Sequence, residues 1–106
     1  FANTIEALSY GVSYLDATVS GMGRGAGNCA MESLLGFLKN PKYNLFPILS
    51  FIENHIPKLK ADGVQWGFDI QYMITGLHNC HPKDAIRFTS EHRTDYSAFY
   101  RDILDV

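Results

Sequence analysis

Four glycines at alternate positions, Gly21, Gly23, Gly25 and Gly27, most restrict what this chain can fold into. Such spacing suits neither the interior of a helix nor that of a strand. It marks a loop that needs unusual backbone angles or close approach to a ligand. Upstream, Val12 to Ala17 reads as a short strand, with Val12 and Tyr14 on one side and Leu15 and Ala17 on the other. Downstream, Asn28 is placed to cap a helix over Cys29–Leu38, with Met31, Leu34, Leu35 and Leu38 as its buried stripe. A strand, a glycine loop and a helix whose free N–H groups point back at the loop favour an anion. The loop lacks the Gly-Lys-Ser/Thr ending of a phosphate loop, and no second strand with an acidic residue follows as a dinucleotide fold requires.

The rest of the chain reads as helices. Phe1 to Tyr10 is the end of one, with Gly11 as its stop. Asn44 caps a helix whose stripe is Leu45, Ile48, Leu49, Ile52 and Ile56, and Pro57 is expected to end or kink it, with a further turn over Lys58 to Ala61. Asp62-Gly63 is a break. Phe68 to Leu77 follows with Ile70, Met73, Ile74 and Leu77 facing inward. Pro82 opens a short helix through Phe88, and the last helix runs from Thr94 to about Leu104, with Tyr96, Phe99, Tyr100, Ile103 and Leu104 on one side. The expectation is a mainly α chain with one strand. A lone strand leaves backbone groups unpaired, so its neighbours are expected to lie upstream. The chain opens without Met, inside a helical pattern, as a piece of a longer protein would.

Hydrophobic residues make up 46% and charged residues 19% of the 106, so a packed core is expected. A net charge of -2 with no basic stripe argues against nucleic acid. No apolar run reaches the roughly 20 residues of a membrane span. Cys29 and Cys80 read as reduced thiols of a cytoplasmic protein. His78, Cys80 and His81 lie close together but offer no second ligand pair, and His81 before Pro82 reads as a helix cap rather than a metal ligand. Arg93, Asp95, Arg101, Asp102 and Asp105 read as a solvated charged face.

The stretch Asn3-Thr-Ile-Glu-Ala-Leu-Ser-Tyr-Gly11, then Leu15 to Asn28, then Glu32, resembles the HMG-CoA lyase-like family. Within it, the run from Asp16 through Gly-Ala-Gly-Asn28 to Glu32 is most similar to the 4-hydroxy-2-oxovalerate aldolase branch. After about residue 38 the resemblance is looser, through Trp66-Gly-Phe and Tyr72. It implies that residues 1–40 are the end of a (β/α)8 barrel, holding its last strand, loop and helix. Residues 41–106 would be a helical C-terminal domain. The family's metal, Mn or Mg, is held by an Asp on the first strand and a His-x-His on the seventh. None of these is in this chain, so no cofactor is expected for it alone.

Carried over residue by residue, Ser20, Gly21, Gly23, Arg24, Gly25 and Gly27 match the loop that closes over substrate. Asn28 matches the loop-end residue that reaches the metal in the lyase branch, which makes it metal-proximal and at most a weak ligand, and Asp16 and Glu32 are supporting groups. Arg24 either pairs with a substrate carboxylate or is an exposed loop residue. Glu32 either holds the loop or caps free N–H groups. The acyl-CoA lyases carry a Cys within this loop, whereas Cys29 here falls past Asn28. The implied activity is C–C cleavage or formation on a small 2-oxo acid, by an intact protein of which this chain is an inactive part. Alternatives are an acyl-CoA-condensing synthase and a non-catalytic module for oligomerisation or docking. A homodimer is expected, and a partner dehydrogenase belongs to the aldolase branch.

Overall fold

The computed structural model describes residues 1–104. Among them the chain forms six α-helices and one 3-10 turn. It divides into two compact units, Phe1–Gly67 and Phe68–Val106.

The first unit opens with α1, Ala2–Ser9, closed by Tyr10 and by Gly11 at φ 80°. The expected strand over Val12 to Ala17 does not form, and the stretch has no regular secondary structure. Its end alone is paired, through an isolated parallel bridge between Thr18 and Ala30. The reason is the one that governs any strand: without neighbours its backbone groups are better left to water. Tyr14, on this stretch, is 92% exposed.

After the 3-10 turn Val19–Gly21 comes α2, Met31–Leu38. It begins two residues later than expected, with Ala30 at the cap position and no side-chain cap. Asn28 does not cap it, because its side chain is bonded inside the loop. Leu34 is buried on this helix, and Leu38 is exposed. The third helix, α3, Phe46–Ala61, is entered through Asn44, whose Oδ1 accepts from the Phe46 amide at 3.0 Å. Pro57 does not end it; the helix runs on to Ala61 through this residue. Proline there removes one hydrogen bond of the ladder on an exposed face, where water satisfies the freed carbonyl. Ile56 is buried and Leu49, expected in the stripe, is exposed.

The second unit holds α4, Ile70–Leu77, α5, Lys83–Ser90, and α6, Tyr96–Leu104. Asp69 starts α4 by accepting from the Ile70 amide at 3.0 Å. The His81 Nδ1 accepts from the Lys83 amide at 3.0 Å at the start of α5. The buried face of α4 differs from the expected one. Ile74 is buried, but so are Gln71 and Thr75, whereas Ile70, Met73 and Leu77 are exposed. The buried Gln71 donates from Nε2 to Thr89 Oγ1 at 2.6 Å, and Thr89 Oγ1 in turn donates to the Ala85 carbonyl, while Gln71 Oε1 has no partner among the described residues. The core around it is Ile74, Ala85, Phe88 and Phe99, flanked by Tyr72, Tyr96 and Ile103. Phe88 stacks with Phe99 at 4.7 Å and Tyr96 at 5.3 Å, a close aromatic set. Asp105, expected on the charged face of the last helix, lies outside the described residues.

Candidate functional site

The loop from Thr18 to Asn28 is closed on itself by its own backbone. The Thr18 amide donates to the Cys29 carbonyl at 2.9 Å, and the Met31 amide donates to the Thr18 carbonyl at 2.8 Å. Across the loop, the Asn28 amide donates to the Gly21 carbonyl at 2.8 Å. The Asn28 side chain donates to the Met22 carbonyl at 3.0 Å, and Thr18 Oγ1 donates to the same carbonyl at 2.8 Å. The glycines are there for space and angle. Gly21 and Gly27 have φ 68° and 80°, and a Cβ on Gly27 would lie 2.5 Å from the Gly21 carbonyl oxygen. A Cβ on Gly23 would run into the Asn28 amide group.

Ser20 is the non-glycine residue of this loop in the left-handed region, at φ 57°. That conformation costs an L-residue roughly 1–2 kcal/mol. Both of its backbone groups are engaged from outside the loop. Its amide donates to Glu32 Oε1 at 2.9 Å, and its carbonyl accepts from the Trp66 indole Nε1 at 3.0 Å. A hydrogen bond to a charged group contributes about 1.5–3 kcal/mol and a neutral one about 1 kcal/mol. Together they outweigh the strain, which is how such a residue persists. A second bond reaches the loop from the same direction, the Gly67 amide donating to the Gly25 carbonyl at 3.0 Å.

Of the residues singled out from the sequence, Ser20, Gly21, Gly23, Gly27, Asn28 and Glu32 are thus brought together. Arg24 is exposed and has no ion-pair partner among the described residues. Asp16 is exposed on the stretch before the loop and makes no hydrogen bond among the described residues. Cys29 is buried and Cys80 half-buried, both as free thiols. Trp66 and Gly67 were not sequence candidates for the site. The available signal was a lone tryptophan followed by glycine, which patterns of periodicity do not connect to a loop 46 residues earlier.

Beside the loop, Asp16, Leu15, Met31, Leu34 and Leu35 line an apolar groove of about 630 Å³. Among the described residues no three His, Cys, Asp or Glu side chains lie close enough to hold a metal ion. No helix of the described residues is long and apolar enough to cross a membrane.

Comparison with known proteins places this loop in a family. A 38-residue stretch is 53% identical to the oxaloacetate decarboxylase of Mycobacterium tuberculosis, covering 36% of this chain and 11% of the relative. The 4-hydroxy-2-oxovalerate aldolase of Carboxydothermus hydrogenoformans is 28% identical over 107 residues, covering 96% of this chain and 31% of the relative. The chain therefore spans less than a third of the length of either relative. No solved structure matches it significantly. The model of the HMGL-like family matches residues 1–55, just over half of the chain and the whole of the glycine loop, and the chain belongs to that family.

Proposed function

We propose that this chain is the end of the catalytic barrel, and the helical region after it, of a lyase that breaks or forms a C–C bond of a small 2-oxo acid. The observation that carries the reading is the ordered Ser20–Gly27 loop inside the family-matched residues. The two relatives' names support the substrate class. Decarboxylation of oxaloacetate and aldol cleavage of 4-hydroxy-2-oxovalerate both break the C3–C4 bond of a 2-oxo acid. Each leaves the electron pair at C3, as the enolate of pyruvate.

In this reading residues 1–40 are the barrel's last strand, loop and helix, and residues 41–106 the helical domain. Val12 to Ala17 takes up strand pairing when its neighbours are present. Arg24, exposed and without an ion-pair partner among the described residues, binds the substrate carboxylate. Closure of the loop excludes water from the enolate. The divalent ion that the family resemblance implies supplies carbonyl polarisation when bound. The residues of this chain do not fit it by themselves. Asn28 is the single candidate ligand, and one neutral amide oxygen cannot hold a divalent ion where, among the described residues, no three His, Cys, Asp or Glu side chains come together. The chain alone is inactive.

The test uses the longer protein that contains this chain, supplied with Mn²⁺ or Mg²⁺, and measures pyruvate release from oxaloacetate and 4-hydroxy-2-oxovalerate. Pyruvate from either substrate is the expected result. Gly23→Val should lower turnover about a hundredfold, far more than it destabilises the fold, since it displaces Asn28 and the loop. Release of coenzyme A from an acyl-CoA and a 2-oxo acid, with no pyruvate formed, would instead make the protein a condensing synthase.

A further inference from the structure

The loop's hold comes from a residue beyond the family-matched stretch. Trp66 touches the loop at its start and at its end. Its Nε1 donates to the Ser20 carbonyl at 3.0 Å, and a Cβ built on Gly27 would lie 3.4 Å from its Cδ1. Glycine 27 therefore leaves its Cα surface open to the indole edge. The next residue, Gly67, donates from its amide to the Gly25 carbonyl at 3.0 Å. Trp66 is itself held, because Lys60 Nζ stands 3.7 Å from the ring centroid and donates to the Trp66 carbonyl at 3.3 Å. Opposite the indole, Glu32 takes the Ser20 amide at 2.9 Å. Ser20 in its left-handed conformation is thus gripped on both sides of its peptide units, and the indole supplies one grip.

We propose that Trp66 is a positioning residue for the substrate loop: its indole N–H, with the Gly67 amide, latches Ser20–Gly27 into the conformation that Glu32 fixes from the other side. This rests on reading the loop as the substrate cover, but the latch can be tested apart from any activity. Because Glu32 and Trp66 grip the same residue, loss of either grip must loosen the other. A tryptophan that only filled space would show no such coupling.

The experiment is hydrogen exchange by NMR on the full 106-residue chain, followed at the loop amides and at the indole N–H, which is unique because Trp66 is the sole tryptophan. Trp66→Phe keeps a ring against Gly27 and removes the donor. It should speed exchange at the hydrogen-bonded Gly21, Met22, Gly27 and Asn28 amides about five- to tenfold, the effect of one lost hydrogen bond, with α2 and α3 unchanged. Glu32→Ala should speed exchange of the indole N–H itself. Unchanged loop exchange in Trp66→Phe, or an indole N–H indifferent to Glu32→Ala, would overturn the proposal. If Trp66→Phe unfolds the first unit, the unsubstituted protein decides: indole exchange at least tenfold slower than free indole supports the latch, and exchange at the free rate overturns it. In the longer protein, Trp66→Phe should lower kcat on oxaloacetate or 4-hydroxy-2-oxovalerate more than it changes KM. A latch intact by exchange in a protein that turns over neither acid would sink the proposed function and leave the latch standing.

Discussion

The two units solve the problem of apolar surface differently. In Phe68–Val106 three short helices close on Ala85 and Phe88, which are 0% and 1% exposed. In Phe1–Gly67 the buried residues are scattered, among them Cys29, Leu34 and Ile56, while Tyr10, Tyr14 and Phe46 stand mostly exposed. The second unit makes its core from its own aromatic side chains. The first is organised around a backbone loop, tied by hydrogen bonds rather than by a shared apolar centre. A region built that way has little cohesion of its own beyond the loop, which is consistent with the proposed place at the end of a larger barrel.

The sharpest way to break this contrast is at Phe88. Phe88→Ala removes the ring at the centre of the second unit and should cost about 3–5 kcal/mol there. Denaturant unfolding, read by exchange at α4, α5 and α6, measures it. An effect under about 1 kcal/mol would mean the aromatic cluster is not that unit's core. The next largest effects separate the two faces of α4. Ile74→Ala should cost about 2–4 kcal/mol and Leu77→Ala less than about 0.5 kcal/mol, since Leu77 is 66% exposed. Equal costs would restore the face expected from the apolar pattern.

In the first unit the comparison is between two glycines. Gly27→Ala should destabilise by at least about 1–2 kcal/mol, because φ is 80° and the new Cβ meets the Gly21 carbonyl. Gly36→Ala, in α2 with open space around it, should stabilise by about 0.5–1 kcal/mol. Thermal melts of the two variants moving in the same direction would refute the loop geometry.

The smallest effect is at the start of α6. Arg93 donates to both carboxylate oxygens of Asp95, at 2.9 and 2.7 Å, and this hydrogen bonding holds the Asp95 carboxyl below its ordinary value. A depressed carboxylate contributes stability above its unfolded pKa, near ~4, and loses it as pH falls through the lower folded value. Stability should therefore be flat in this contribution from neutral pH to about 4 and fall below that. Asp95→Asn should flatten that acid limb in a pH series of melts.

Much of the helical order was legible because apolar spacing, Asn44 and Gly11 are local instructions. What was not legible depended on distant partners. The face of α4 was misread because Gln71 looks like a surface residue until Thr89, 18 residues away, supplies its bond. Pro57 was expected to interrupt α3, but a single missing ladder bond on a wet face is tolerated. The stretch Val12 to Ala17 has strand composition, yet composition cannot pair a strand. At the loop, the glycines were visible by spacing and Glu32 through the family resemblance, whereas the tie from Trp66 crosses 46 residues and leaves no periodic trace.

The proposal that the first unit is the end of a barrel is tested most directly by hydrogen exchange at Tyr14, Leu15 and Asp16 in a monomeric sample of this chain. Exchange is expected at nearly the intrinsic rate at these three residues, with Ile74, Phe88 and Phe99 protected by orders of magnitude. Slow exchange at Tyr14, Leu15 and Asp16 would mean that the stretch is satisfied within one chain, and the severed-barrel reading would be wrong.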